Sequence, residues 1–185
     1  MMPPTTIWTI GHSTRPIDEF LALLESHGIQ QLVDVRTIPR SRHNPQFNSD
    51  AFAKSLLARG IGYHHAARLG GLRKPKKDSI NRGWRNESFR GYADYMQTDE
   101  FWNALDELIT ASRLRLTAVT CAEAVPWRCH RSLIADALCS TGWTVRHIMS
   151  ESKADSHSLT SFAVVEHNRI TYPNSSESEA DPRLF

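Results

Sequence analysis

The sequence predicts an α/β fold: a mainly parallel sheet flanked by helices, Rossmann-like and three-layered, with one long basic loop. Two observations carry this. Short apolar runs alternate along the chain with segments of helical periodicity, the pattern of βαβ units. The 185 residues, 40% hydrophobic and 23% charged, suit one soluble domain with a core of its own. No internal repeat and no long linker divides the chain, so residues 1–173 read as a single domain and 174–185 as a mobile polar tail.

Ile7-Trp8-Thr9-Ile10 is the first strand, running into Gly11-His12-Ser13-Thr14. Pro16 suits a first helical position, Asp18 and Glu19 its first turn, and Ile17, Phe20, Leu21 and Leu24 one apolar face that stops at Gly28. Leu32-Val33-Asp34-Val35 is a second strand. A helix capped at Asn48, Ser49 or Asp50 carries Phe52, Leu56 and Leu57 to Gly60, and Ile61 to His64 makes a third strand. Residues 68–88 lack a period and read as a long basic loop. Phe89 to Met96 is helical, and Thr98 caps a helix with Phe101, Trp102, Leu105, Leu108 and Ile109 on one side. Leu116 to Thr120 is the fourth strand, followed by Cys121-Ala122-Glu123, a turn at Pro126 and a helix from about Cys129 to Ser140. Trp143 to Ile148 is a further strand, and Phe162 to Val165 with Arg169 to Tyr172 forms a terminal hairpin.

No apolar run approaches the roughly 20 residues of a membrane span. The start, MMPPTTIWTIGHS, lacks the basic and apolar regions of a signal peptide. Cys121, Cys129 and Cys139 are an odd number, which argues against a secreted disulfide framework and for a reduced, cytoplasmic setting. The formal charge of +2 conceals an asymmetry, because residues 36–90 hold 13 Lys and Arg against Asp50, Asp78 and Glu87. Such a distribution presents a basic face to an anionic partner.

In parallel sheets ligands sit beyond the carboxyl ends of the strands, so the polar residues there carry the chemistry. Gly11 and Ser13 precede a helix N-terminus that favours an anion. Arg36, with Arg40 and Arg42 around Pro39, suits bidentate capture of phosphate or carboxylate, with an internal pair to Asp34 as the alternative. Cys129 stands at a helix start among Arg128, His130 and Arg131, all of which favour a thiolate. Cys121 is a second candidate nucleophile, and Glu123, His12 and His130 are candidate acids or bases. Arg131 joins Gly11, Ser13, Arg36 and Arg42 in the expected anion site. Cys121 to Arg128 is Cys-x6-Arg, one residue longer than the tyrosine phosphatase loop. A metal held by Cys121, Cys129 and His130, with His12 as a fourth ligand, is a weaker reading, since paired Cys-x2–4-Cys spacing is missing; no cofactor is predicted. Arg73, Lys74, Lys76, Lys77 and Arg82 with Trp84 suit a phosphate backbone and a stacked base.

Seven segments in order form a wider pattern. They are Thr9-Ile10-Gly11-His12-Ser13; Asp34-Val35-Arg36 with Pro39 and Ser41; Leu69-Gly70-Gly71; Tyr92-Ala93 with Met96; Cys121-Ala122-Glu123; Cys129-His130-Arg131; and Ile170-Thr171-Tyr172-Pro173. Together, over roughly residues 6–173, they resemble the bacterial and archaeal family called domain of unknown function 488, with Thr120 the one departure. The resemblance implies a single α/β domain in an intracellular protein and supplies no activity. The residues themselves lead to the expectation of an enzyme acting on a phosphate-bearing substrate, a nucleotide or nucleic acid, through the Cys/His/Glu/Arg site. The alternative is a nucleic-acid-binding module without chemistry, built on the 68–90 loop.

Overall fold

A computed structural model describes residues 5–174. The expected tail, 174–185, therefore lies outside the described residues apart from Asn174. The α/β architecture is present: a six-stranded sheet in the order β3-β2-β4-β1-β5-β6, flanked by five helices. The strands are β1 (Thr6–Gly11), β2 (Gln31–Asp34), β3 (Gly62–His65), β4 (Thr117–Cys121), β5 (Thr144–Ile148) and β6 (Ala154–Ser156). All neighbours pair in parallel except β5 and β6. β7 (Val164–Glu166) and β8 (Arg169–Thr171) form the expected hairpin, with His167 and Asn168 both at positive φ in its turn.

Successive residues of the central strands feed opposite layers, as a pleat with both faces covered requires. Leu32 and Ala118 pack with α1 (Ile17–Ser26) and α2 (Ser49–Leu57) through Phe20, Leu24, Phe52 and Leu56. Val33 and Val119 face the opposite core, built by α3 (Glu87–Tyr95), α4 (Asp99–Ser112), α5 (Arg131–Ser140) and the hairpin. Thr98 caps α4 by accepting from the Phe101 amide, as expected. Asn86 caps α3 two residues earlier than the apolar pattern placed that helix, accepting from the Ser88 and Phe89 amides. α5 begins at Arg131 rather than Cys129, because Pro126–Arg128 form a separate 3-10 turn and Cys129 is extended between the two. No helix among the described residues is long and apolar enough to cross a membrane.

From β1 the chain steps outward through β2 to β3, returns to β4 between β2 and β1, then crosses to β5. The carboxyl ends of β2, β4 and β1 are thus neighbours at the point where strand order reverses, with Gly11 opposite Cys121 and Asp34 opposite Thr120. Crevices at such reversals are where open α/β sheets take ligands.

Candidate functional site

A cavity of about 630 Å³ opens at this reversal. His12, Ser13, Arg36, Cys121, Glu123, Cys129 and His130 all line it, so three strand ends and the approach to α5 converge as expected.

Two amides of the loop after β1 are already engaged. The His12 and Ser13 amides donate to the carbonyls of Cys121 and Ala122 at 3.0 and 2.9 Å, extending the β1–β4 ladder beyond the strands. Ser13, at φ +49, lines the cavity with its amide already bonded, and Gly11 lies outside the lining. Gly11 has a packing role instead, because a Cβ there would overlap the Glu123 carbonyl oxygen.

Arg36 is 7% exposed and Asp34 fully buried. The guanidinium donates from Nε to Asp34 Oδ1 at 2.9 Å, and from NH2 to Asp34 Oδ2 at 2.5 Å and the Phe47 carbonyl at 2.8 Å. Tyr63 donates its hydroxyl to the same carboxylate at 2.8 Å. The internal ion pair is therefore real, and it is also what aims NH1 at the cavity. His12 Nδ1 bonds the Ser13 carbonyl at 2.9 Å, and a carbonyl only accepts. The ring proton is thus on Nδ1, leaving Nε2 to accept from Arg36 NH1 at 3.3 Å. Burial lowers the His12 pKa to about 4, so the ring is neutral and works as an acceptor that fixes Arg36, not as the expected acid. One NH1 proton remains for a ligand. Arg42 is exposed and outside the cavity; Arg40, two residues earlier on the same turn, lines it.

Cys121 and Cys129 bring their sulfurs into contact in the cavity with Cα atoms 7.7 Å apart, wider than the roughly 4.4–6.8 Å of a relaxed disulfide, while Cys139 stands apart as a free thiol. The reduced setting read from the cysteine count gave no hint of this contact. Cys129 Sγ accepts from the Arg131 amide at 3.5 Å and lies 3.6 Å from His130 Nδ1. His130 Nε2 donates to the Val35 carbonyl at 3.1 Å, so Nδ1 carries the lone pair that faces Cys129. Burial lowers His130 to about 4 and keeps it neutral. Gly71 opens this edge of the ring, since a Cβ there would stand 3.1 Å from Nδ1. Glu123 places its carboxylate at the exposed rim.

Arg131 does not line the cavity as expected; it lies beneath the loop that does. It is 1% exposed, donating from NH2 to the Glu123 carbonyl at 2.8 Å and from NH1 to Thr9 Oγ1 at 3.1 Å. Its Nε has no partner. Among the described residues no carboxylate pairs with it. Burial, then the nearby Arg15, lowers its pKa to about 10.

Behind Arg131 runs a chain that sequence reasoning missed. Thr9 Oγ1 meets His147 Nδ1 at 2.7 Å, His147 Nε2 meets His157 Nδ1 at 2.9 Å, and His157 Nε2 meets Asp136 Oδ1 at 2.8 Å. Arg131 can only donate and the Asp136 carboxylate accepts, so every bond between them points the same way and both histidines carry the proton on Nε2. The one available signal was Asp136 itself, an acid set among Leu133, Ile134, Ala137 and Leu138 of α5.

The basic loop shares the rim only through Gly71 and Leu72. Trp84 is not free to stack on a base: it packs against Phe89, Phe162 and Tyr172 with ring centroids 5.0, 4.9 and 5.5 Å away. Arg73 lies 3.6 Å over the Tyr95 ring. Lys74, Lys76, Lys77 and Arg82 are exposed. Asp94, 3% exposed, organises the loop by accepting from the Lys76 amide, Ser79 Oγ and Asn81 Nδ2. Among the described residues no three His, Cys, Asp or Glu side chains gather to hold a metal, so Cys121, Cys129, His130 and His12 do not form the ligand set considered above.

The family model described as Domain of unknown function DUF488 matches residues 16–138. No curated protein and no solved structure matches the chain.

Proposed function

The chain belongs to the DUF488 family, and we propose that it is an enzyme that brings a cysteine thiol to a phosphate-bearing substrate held in the strand-end cavity. The observation that carries this reading is Arg131, a guanidinium buried beneath the loop that lines the cavity and in no ion pair among the described residues. A buried charge without a counter-ion costs several kcal/mol. An anion in the cavity offsets that cost, and the walls favour the same sign. Arg36 NH1 and Arg40 face the cavity, and Glu123 is the sole carboxylate among the lining residues.

In this reading Ser13 Oγ, Arg36 and Arg40 hold the phosphate. With the pair reduced, the Cys129 proton passes to His130 Nδ1 only as the sulfur attacks, while the Arg131 amide and the N-terminal dipole of α5 favour negative charge on the sulfur. The sulfur attacks the electrophilic centre, and the protonated His130, a strong acid in its buried site, returns the proton to the leaving group. Glu123 at the rim activates the water that frees the product. The excess of basic residues over 36–90 favours a nucleotide or nucleic acid as the carrier of the phosphate. A reduced, cytoplasmic setting suits this thiol chemistry.

Turnover and binding of a panel of nucleotides and oligonucleotides by the reduced chain, Cys121→Ser and Cys129→Ser test the proposal. Loss of turnover with retained binding in Cys129→Ser supports it. Unchanged turnover in both variants overturns thiol catalysis. A binding module without chemistry is the second reading, favoured by the exposed Lys74, Lys76, Lys77 and Arg82.

A further inference from the structure

We propose that Cys121 and Cys129 form a thiol–disulfide couple oxidised by hydroperoxides, in which Cys129 is the attacked sulfur and Cys121 resolves it. This rests on the reading of Cys129 as the cavity's reactive thiol and adds a modification of that same site.

Three features of the cavity point this way. The paired cysteines come from separate elements, Cys121 from the end of β4 and Cys129 from the approach to α5, and meet where both line an open cavity. The cavity is wide enough to bring a molecule as small as a peroxide to the wall that both residues form. The two sulfurs are also unequally placed. Cys129 has the Arg131 amide at 3.5 Å and the lone pair of His130 Nδ1 at 3.6 Å. Both residues are buried in the same apolar core, at 3% and 4% exposure, and among the described residues Cys121 has no comparable amide or imidazole at its sulfur. Only Cys129 sits where a thiolate is stabilised, and the thiolate is the species that attacks a peroxide. Cys139 lies on the far part of α5, outside the cavity lining, and its thiol is pushed up by burial.

The chemistry balances without a further reactant. The Cys129 thiolate attacks one oxygen of the hydroperoxide, the O–O bond breaks, and an alcohol or water leaves with a proton while Cys129 becomes a sulfenic acid. The Cys121 thiol then attacks the Cys129 sulfur, the S–O bond breaks, and water departs as the disulfide closes. Two thiols are oxidised by two electrons and one peroxide is reduced. Closing the pair removes the nucleophile, and an external dithiol restores it by exchange.

The test needs no substrate, so its outcome is separate from the fate of the catalytic proposal. Reduced full-length chain is exposed to one equivalent of hydrogen peroxide, then differentially alkylated and mapped by mass spectrometry. The expected product is a Cys121–Cys129 link with Cys139 still free, reversed by dithiothreitol. Cys121→Ser is expected to accumulate a dimedone-reactive sulfenic acid on Cys129. Cys129→Ser should consume peroxide on the order of tenfold more slowly, and Cys139→Ser should match the unaltered chain. The proposal is overturned if the unaltered chain forms no Cys121–Cys129 link, if Cys139 is oxidised first, or if Cys129→Ser reacts as fast as the unaltered chain.

Discussion

Replacing Asp34 by alanine strikes the pair that aims Arg36 at the cavity. The carboxylate is fully buried and accepts from Arg36 Nε, Arg36 NH2, the Arg36 amide and Tyr63. Without it the guanidinium, 7% exposed, keeps only the Phe47 carbonyl and His12 Nε2. Breaking a buried pair by removing one partner costs about 3–5 kcal/mol. For a chain of this size, at about 2–4 °C per kcal/mol, the melting temperature should fall by roughly 6–20 °C. The exposed Arg59–Glu25 pair supplies the contrast: Glu25→Ala should cost no more than about 1 kcal/mol. Urea unfolding followed by circular dichroism reads both, with the slope unchanged if the denatured state is unaffected. Asp34→Asn, which retains an acceptor but not the charge, should fall between the two. A loss below about 1 kcal/mol for Asp34→Ala in a folded protein would refute the assignment of Arg36 as a guanidinium held by Asp34.

Three further outcomes are expected. Gly11→Ala forces the Glu123 backbone out of place, and urea titration should register a loss of about 1–3 kcal/mol together with weaker phosphate binding. His12, His130 and His147 have folded pKa values of about 4 against 6.5 unfolded, so the unfolded chain binds more protons in that window. Stability should therefore fall as pH drops from about 6.5 toward 4, by up to about 1.4 kcal/mol per unit for each group; unfolding curves that show greater stability at pH 5 than at pH 7 contradict this. If the basic loop meets nucleic acid, replacing Lys74, Lys76, Lys77 and Arg82 by neutral residues should flatten the dependence of log affinity on log salt by roughly 0.9 per lost phosphate contact; an unchanged slope removes the loop from the interface.

The central strands were legible because a buried parallel strand is a compact apolar run, and Leu32-Val33 and Ala118-Val119 are such runs with polar residues immediately after. α4 was legible from its cap and its apolar stripe. β6 was not, because Ala154-Asp155-Ser156 is a short polar strand at the sheet edge paired with β5, and no periodicity marks it. The site was legible as a set of strand ends and not as a division of labour. Arg131 carries the residue type of a surface cation, and only the arrival of Thr9 and the Glu123 carbonyl makes burial possible. His12 reads as an acid until the Ser13 carbonyl fixes its tautomer. Trp84 reads as a stacking platform among basic residues, yet Phe89 and the distant Phe162 and Tyr172 close around it. Arg40 and Arg42 share one turn, where neither helical nor strand period says which side chain turns inward.

The central claim is that an anion occupies the cavity above Arg131. A titration of the isotopically labelled, full-length chain with inorganic phosphate at low salt, read from backbone amide chemical shifts, tests it most directly. The account predicts saturable shifts centred on Ser13, Thr14, Arg40, Gly71 and Ala122 to Ala124, reversed by a competing nucleotide. Shifts that never saturate, or that fall on Lys74 to Arg85 and leave the strand ends untouched, contradict it.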